Sequence, residues 1–148
     1  MKRIQFFALI LCISALAACN IFKKSPSSGD GSASNVLTDH RWKLVELAGK
    51  PMPDKVNGKE PFVLFQKNDN RYSATGGCNG LGGTFALLAN GKIQFTQGMS
   101  TMMACDQMEI ENGLKEVFST ADNYTISGDN LSLNKARMAP LARFKAVK

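Results

Sequence analysis

From residue 41 onward, apolar and polar side chains alternate in short runs broken by turn residues. Arg41 to Leu47 (RWKLVEL) puts Trp42, Leu44 and, at its end, Leu47 in inward or half-buried positions of a strand. Gly49 to Glu60, with Pro51, Pro53 and Gly58, reads as a loop. Phe62 to Gln66 (FVLFQ) predicts a short buried strand and Arg71 to Thr75 another, with Asn68-Asp69-Asn70 as the hairpin turn between them. Thr84 to Leu88 and Lys92 to Thr96 flank Ala89-Asn90-Gly91, whose Asn-Gly pair specifies a tight hairpin. Asn123 to Ile126, Leu131 to Asn134 and Leu141 to Val147 complete the strands, the first two joined by Ser127-Gly128-Asp129-Asn130.

Between residues 97 and 122 the period changes. Ile110, Leu114, Val117 and Phe118 fall at i, i+4, i+7 and i+8, the stripe of an amphipathic helix. Asp106 is placed to cap it, Glu109 three residues later fits a capping box, and Glu109 and Glu111 suit the positive end of the helix dipole. Gly113 weakens such a helix by about 1 kcal/mol relative to alanine, so packing has to hold it. The predicted fold is α+β: a curved, mainly antiparallel sheet, barrel-like and partly closed, with one amphipathic helix packed across it between the fifth and sixth strands.

The first 36 residues follow other rules. Lys2 and Arg3 precede an apolar run from Ile4 to Leu16, which as a helix is about 20 Å long and too short to cross a bilayer core of about 30 Å. Leu16-Ala17-Ala18-Cys19 then has the form of a lipobox. Residues 1–18 are read as a lipoprotein signal peptide, and Cys19 as the lipidated first residue of the mature chain. Residues 19–36 are read as that cysteine and a flexible tether rich in Ser and Gly, and 37–148 as one domain. Asn20 in place of aspartate makes the chain similar to lipoproteins of the outer membrane, with the domain facing the periplasm. The membrane, reached through the lipid anchor, is then the first partner. Without Lys2 and Arg3 the net charge drops from +6 to about +4, too small to specify a partner. The compartment excludes nucleic acid.

The leader also sorts the cysteines. Of the four, Cys12 leaves with it and Cys19 takes lipid. Cys78 and Cys105 remain as an even pair in an oxidising compartment, where a disulfide is the default. It restricts the unfolded chain by about 3–4 kcal/mol.

Two segments stand apart from the strand pattern: Gly76-Gly77-Cys78-Asn79-Gly80-Leu81-Gly82-Gly83 and Met99-Ser100-Thr101-Met102-Met103-Ala104-Cys105. The first lacks the Gly-Lys-Ser/Thr ending and the following helix of a phosphate loop. It reads as a tight crossover between strands, with Asn79 bonding nearby backbone. Trp42-x-Leu44 with Gly49, Gly77-Cys78-Asn79 with Gly82-Gly83, Thr101 to Cys105, Met108-Glu109 and Gly128-Asp129-x-Leu131-x-Leu133 occur in an order that resembles the META domain family, which includes HslJ-like heat-shock lipoproteins. The resemblance implies a curved antiparallel β structure crossed by a helix, in a family linked to stress response. Where many members carry arginine, this chain has Met102.

No catalytic constellation is visible. His40, the only histidine, sits at the tether boundary beside Trp42, and no serine or threonine has a base and an orienting group. The chain is read as non-enzymatic and without a cofactor. Phe62, Leu64, Phe85, Leu87, Ile93 and Phe95 are candidates to line an apolar groove for a hydrophobic ligand or an envelope protein, or else to fill the core. The alternative function is Cu(I) binding by Met99, Met102, Met103, Cys105 and Met108, since thioethers and a thiolate suit that ion. Against it, methionines also fill irregular core space.

Overall fold

The computed structural model describes residues 36–38 and 40–147, so the leader, Cys19 and the tether lie outside the described residues. The elements run β1 (Arg41–Leu47), β2 (Lys50–Pro51), β3 (Phe62–Gln66), β4 (Arg71–Thr75), β5 (Gly80–Leu88), β6 (Lys92–Ser100), α1 (Glu109–Thr120), β7 (Asn123–Ser127), β8 (Asn130–Asn134) and β9 (Ala142–Val147). The sheet order is β2-β1-β3-β4-β5-β6-β7-β8-β9, every pairing is antiparallel, and β1 also pairs with β9. The curved sheet therefore closes into a ring, as α+β.

Hairpin connections account for most of that order. β1 is shared on both edges: Arg41 to Lys43 face β3, and Arg41 to Leu47 run along β9. The weakest seam lies between β6 and β7, which meet at the single pair Lys92↔Asn123. The chain between these two strands contains α1, and Gln97 Nε2 donates to the Lys115 carbonyl at 2.8 Å, tying the helix to the part of β6 that β7 does not pair with.

Alternation places Trp42, Leu44, Val63, Phe65, Leu131, Leu133 and Phe144 inside the ring, all fully buried. The Trp42 indole N–H donates to the Leu37 carbonyl at 2.8 Å, which satisfies its one polar atom and ties the start of the domain to the core. Phe118 of α1 meets Tyr72 and Phe95 at ring-centroid distances of 4.5 and 5.2 Å, and Phe65 meets Phe85 at 5.2 Å. Burial among these rings pushes the Tyr72 hydroxyl up to about 12.

Several sequence expectations are corrected. Asp106 does not cap the helix: α1 starts at Glu109, the cap position is Met108, and no side chain bonds there. The stretch from Gly49 to Glu60 is not all loop, because Lys50–Pro51 pairs with the end of β1 and Val56, which bridges Lys59, is buried. The sheet thus has nine strands, with β2 appended to β1 of the ring, and the helix follows the sixth. β5 starts inside the glycine-rich segment and β6 extends to Ser100, both longer than their hydrophobic cores suggest. Glycine is needed there: a Cβ on Gly83 would lie 2.1 Å from the Thr96 carbonyl oxygen, beside a register shift in the β5–β6 ladder. In β3 the inward residues are Val63 and Phe65, and Phe62 and Leu64 are only half-buried on the other face. Arg41 stacks on the Phe62 ring, 3.8 Å from its centroid.

The turn between β1 and β2 is strained. Ala48 and Gly49, which join β1 to β2, have φ of +48° and +77°. A left-handed alanine costs about 1–2 kcal/mol. Ala48→Gly is expected to raise unfolding stability by about 0.5–1 kcal/mol, after the extra entropy of the unfolded glycine. Chemical denaturation checks it, and an unchanged or lower midpoint contradicts the strain.

Candidate functional site

Two places on the molecule gather side chains that chemistry could use. The first is polar and lies under the start of α1. The turn at Gly76 passes so close to the helix that a Cβ there would lie 2.6 Å from the Glu111 Cα. That approach brings Asn79 to Glu111. The Asn79 backbone N–H donates to Glu111 Oε2 at 2.8 Å, and its side-chain Nδ2 donates to Oε1 at 3.2 Å. The same amide group holds a third segment: Nδ2 donates to the Met103 carbonyl at 3.0 Å, while Oδ1 accepts from Met103 N–H at 2.7 Å and Thr101 Oγ1 at 2.8 Å. Thr101 Oγ1 accepts from the Gly80 N–H at 3.0 Å. Beside this hub, Cys78 and Cys105 are joined in a disulfide, with Cα atoms 6.1 Å apart.

Glu111 and Asn79 are buried, so the charge on Glu111 must be matched. Burial pushes its carboxyl up. The hydrogen bonds from Lys115 and Asn79, with the Lys115 charge, outweigh that and hold it below its ordinary value. Lys115 Nζ stands 2.9 Å from Oε1 and is itself partly exposed. Among the described residues no buried side-chain nitrogen or oxygen lacks a partner. The hub is a clasp that joins the glycine-rich turn, the 101–105 segment and the helix.

Asn79 therefore bonds residues distant in sequence, not the neighbouring backbone expected of a turn. Glu111 has a role the sequence reading missed; it is more than a helix-start acid. The signal was available: Glu111 lies three residues before Leu114 and seven before Phe118, on the buried stripe.

Of the copper candidates, Cys105 is withdrawn by its bond to Cys78. Three of the four methionine candidates stand outside the core, Met99 88% exposed, Met102 97% and Met103 51%, while Met108 is half-buried. His40 is half-buried, its ring 5.7 Å from that of Trp42.

The six candidate groove residues do not line a groove together. Phe85 and Ile93 belong to the buried core, Leu87 and Phe95 pack against it, and Phe62 and Leu64 lie on the outer side of β3. An apolar groove exists elsewhere, between α1 and the β1–β2 turn. It has a volume of about 300 Å³, and its walls are Leu47, Ala48, Met52, Ile110, Val117 and Leu141. Ile110, Gly113 and Val117 recur at i, i+3 and i+7, a second helical stripe beside the buried one. Gly113 stands at its centre, where a Cβ would be 2.7 Å from Leu47 Cδ2. The Ala48 N–H donates to the Leu141 carbonyl at 2.8 Å, fixing the turn that forms the far wall. Lys50, Glu109 and Glu116 stand exposed at the rim.

Comparison with protein-family models matches residues 35–148 to the META domain. The chain belongs to the META domain family. Its fold is also found in solved structures. A protein from Burkholderia xenovorans solved by NMR shares 21% identity at a TM-score of 0.62, over 93% of this chain and 97% of that one. A second NMR structure shares 23% identity at 0.59, over 75% and 92%. A DUF4847 family protein from Bacteroides vulgatus shares 14% at 0.54, over 77% and 95%. Comparison with curated proteins finds no match. In this META domain the Gly-Cys-Asn and Thr-Met-Met-Ala-Cys segments meet at the clasp, so the motifs that mark the resemblance hold the fold together.

The clasp has a pH signature. A carboxyl held below its ordinary 4.5 in the folded state contributes stability that is full above that value. It is lost as pH falls through the folded value. Glu111→Gln is expected to cost about 2–3 kcal/mol at pH 7 and to flatten the loss of stability below pH ~5. Urea unfolding from pH 3 to 7 measures both; a parallel downward shift at every pH contradicts the assignment.

Proposed function

We propose that the chain is a lipid-anchored, non-catalytic binding module of the cell envelope that takes an apolar group into the groove beside α1. The open groove of about 300 Å³ carries this reading, because its size suits a small ligand or one or two side chains and its lining is aliphatic. Gly113 supports it. A larger residue there costs the helix nothing in propensity, yet glycine lets α1 approach Leu47 closely enough to set the spacing of the groove walls. The strained Ala48 supports it too. Its methyl forms part of the wall in a turn that asparagine suits better, and such departures collect at functional sites.

The location rests on Lys2, Arg3, the apolar run and Cys19. The outer membrane and a role in stress response follow from the resemblance to related lipoproteins. Soft-metal binding is a second reading, favoured only by the exposure of Met99, Met102 and Met103. Without the Cys105 thiolate it has thioethers alone and ranks below the groove.

Two experiments test the proposal. Cys19→Ala is expected to abolish incorporation of labelled palmitate and move the protein from the membrane to the soluble fraction; a variant still fully membrane-bound refutes the anchor. Gly113→Leu fills the groove while improving helix propensity by about 0.8 kcal/mol. It is expected to weaken binding of the neutral probe N-phenyl-naphthylamine at least tenfold, and because its side chain displaces Leu47, circular dichroism of the variant is read alongside to confirm that it is folded. Equal probe binding by the two folded proteins excludes the groove.

A further inference from the structure

We propose that the occupant of the groove is a segment of the same chain, Ile21-Phe22-Lys23-Lys24, docked in cis. This deepens the groove reading and rests on it. Three observations select that segment.

Chemistry is the first. Between Cys19 and Val36, Ile21 and Phe22 are the only large apolar residues; the rest is Lys, Ser, Pro, Gly, Asp, Ala and Asn. Two lysines follow them directly. The groove presents the complement: an aliphatic floor, with the exposed carboxylates of Glu109 and Glu116 and the single ammonium of Lys50 around it. Glu109 and Glu116 take part in none of the ion pairs among the described residues. A fatty-acid carboxylate meets net negative charge at this rim, whereas an apolar pair followed by two cations meets attraction.

Reach is the second. Leu37 is fixed at the Trp42 indole, at the start of β1, and the groove begins at Leu47, at its end. Five strand steps separate Trp42 from Leu47, about 17 Å at ~3.3 Å per residue. The stretch from residue 25 to 36 can span at most about 40 Å. For its Ser- and Gly-rich composition the root-mean-square span is about 20 Å. A linker whose average span matches the gap gives a near-maximal effective concentration, in the millimolar range. Even a weak contact with Phe22 is then largely occupied.

Capacity is the third. About 300 Å³ is the lower end of ligand sites and accommodates one ring with an aliphatic neighbour, not a long acyl chain.

Docking in cis places the anchor next to the domain. The tether is then taken up along the domain surface, and the domain is held close to the membrane. A competing apolar partner in the groove frees the segment and lets the domain move out to the tether's full length. Occupancy of the groove thereby sets the height of the domain above the bilayer.

The test uses the full chain in intact envelopes, with the photo-crosslinking residue p-benzoyl-phenylalanine replacing Phe22. The expected result is an intramolecular crosslink mapped by peptide mass to residues 47–52 or 109–117. Its yield is expected to fall at least fivefold with Gly113→Leu and with the pair Glu109→Lys and Glu116→Lys. Crosslinks to lipid or to other proteins alone overturn the proposal. So does an intramolecular product that Gly113→Leu leaves unchanged. The groove reading is scored separately by N-phenyl-naphthylamine. Probe binding that Gly113→Leu removes, without the crosslink, leaves the groove standing and removes only its occupant.

Discussion

The buried carboxylate of Glu111 is the constraint on which the arrangement depends. A charge in the interior is tolerated only with partners on every side, and here they come from three places in the chain. Lys115 is supplied by the helix itself, one turn on. Asn79 comes from the glycine-rich turn, and through its amide it also fixes Thr101 and Met103. Because a half-made network of this kind is worse than none, the three segments have to be in place together. The disulfide reinforces the same junction, tying residues 27 apart in sequence next to the hub.

That junction explains how the ring tolerates its weak seam. β6 and β7 share one backbone pair, and a sheet opened there exposes the aromatic interior. The chain between them crosses the gap as a helix pinned at two points. Glu111 holds the N-terminal half, and Phe118 holds the other by its contacts with Tyr72 and Phe95. Asp122 completes the seam beyond the helix. Its carboxylate accepts from Ala136 N–H and Asn123 Nδ2, which keeps it below its ordinary value with help from Lys92 and Lys135.

Strands with alternating side chains were legible because alternation has a single solution: RWKLVEL puts Trp42 and Leu44 on one side whatever its neighbours do. FVLFQ has no such solution. Four of its five residues are apolar, so only the pairing of Val63 with Trp42 and Ala74 decides that Val63 and Phe65 go in. Phe62 and Leu64, offered either as groove lining or as core, lie on the outer face for that reason. The helix stripe was legible, but its start was not, since a good capping residue at 106 does not bind the chain when tertiary contacts set the first turn at 109. Asn79 was misread because its partners lie more than twenty residues away, where local turn rules do not reach. The exposed methionines were invisible for a similar cause: the Met103 backbone is used by the clasp, and its side chain, like those of Met99 and Met102, is left outside.

The clasp and the groove are linked through the rotation of one helix. Residues 111, 114 and 118 form the buried stripe, and 110, 113 and 117 form the wall of the groove about a third of a turn away. Gly113 already packs against Leu47 and Val117 is buried, so covering the half-buried Ile110 would take a roll of α1 that pushes Leu47 aside. That roll pulls Glu111 off Asn79 and Phe118 out of the aromatic cluster. A buried charge without partners costs several kcal/mol, more than the burial of a few aliphatic carbons at about 25 cal/mol per Å² returns. The groove therefore stays open because the interior fixes the helix. An apolar surface that the fold is unable to cover for itself is available to something else. In the sequence, the first large apolar residues met before this META domain are Phe22 and Ile21.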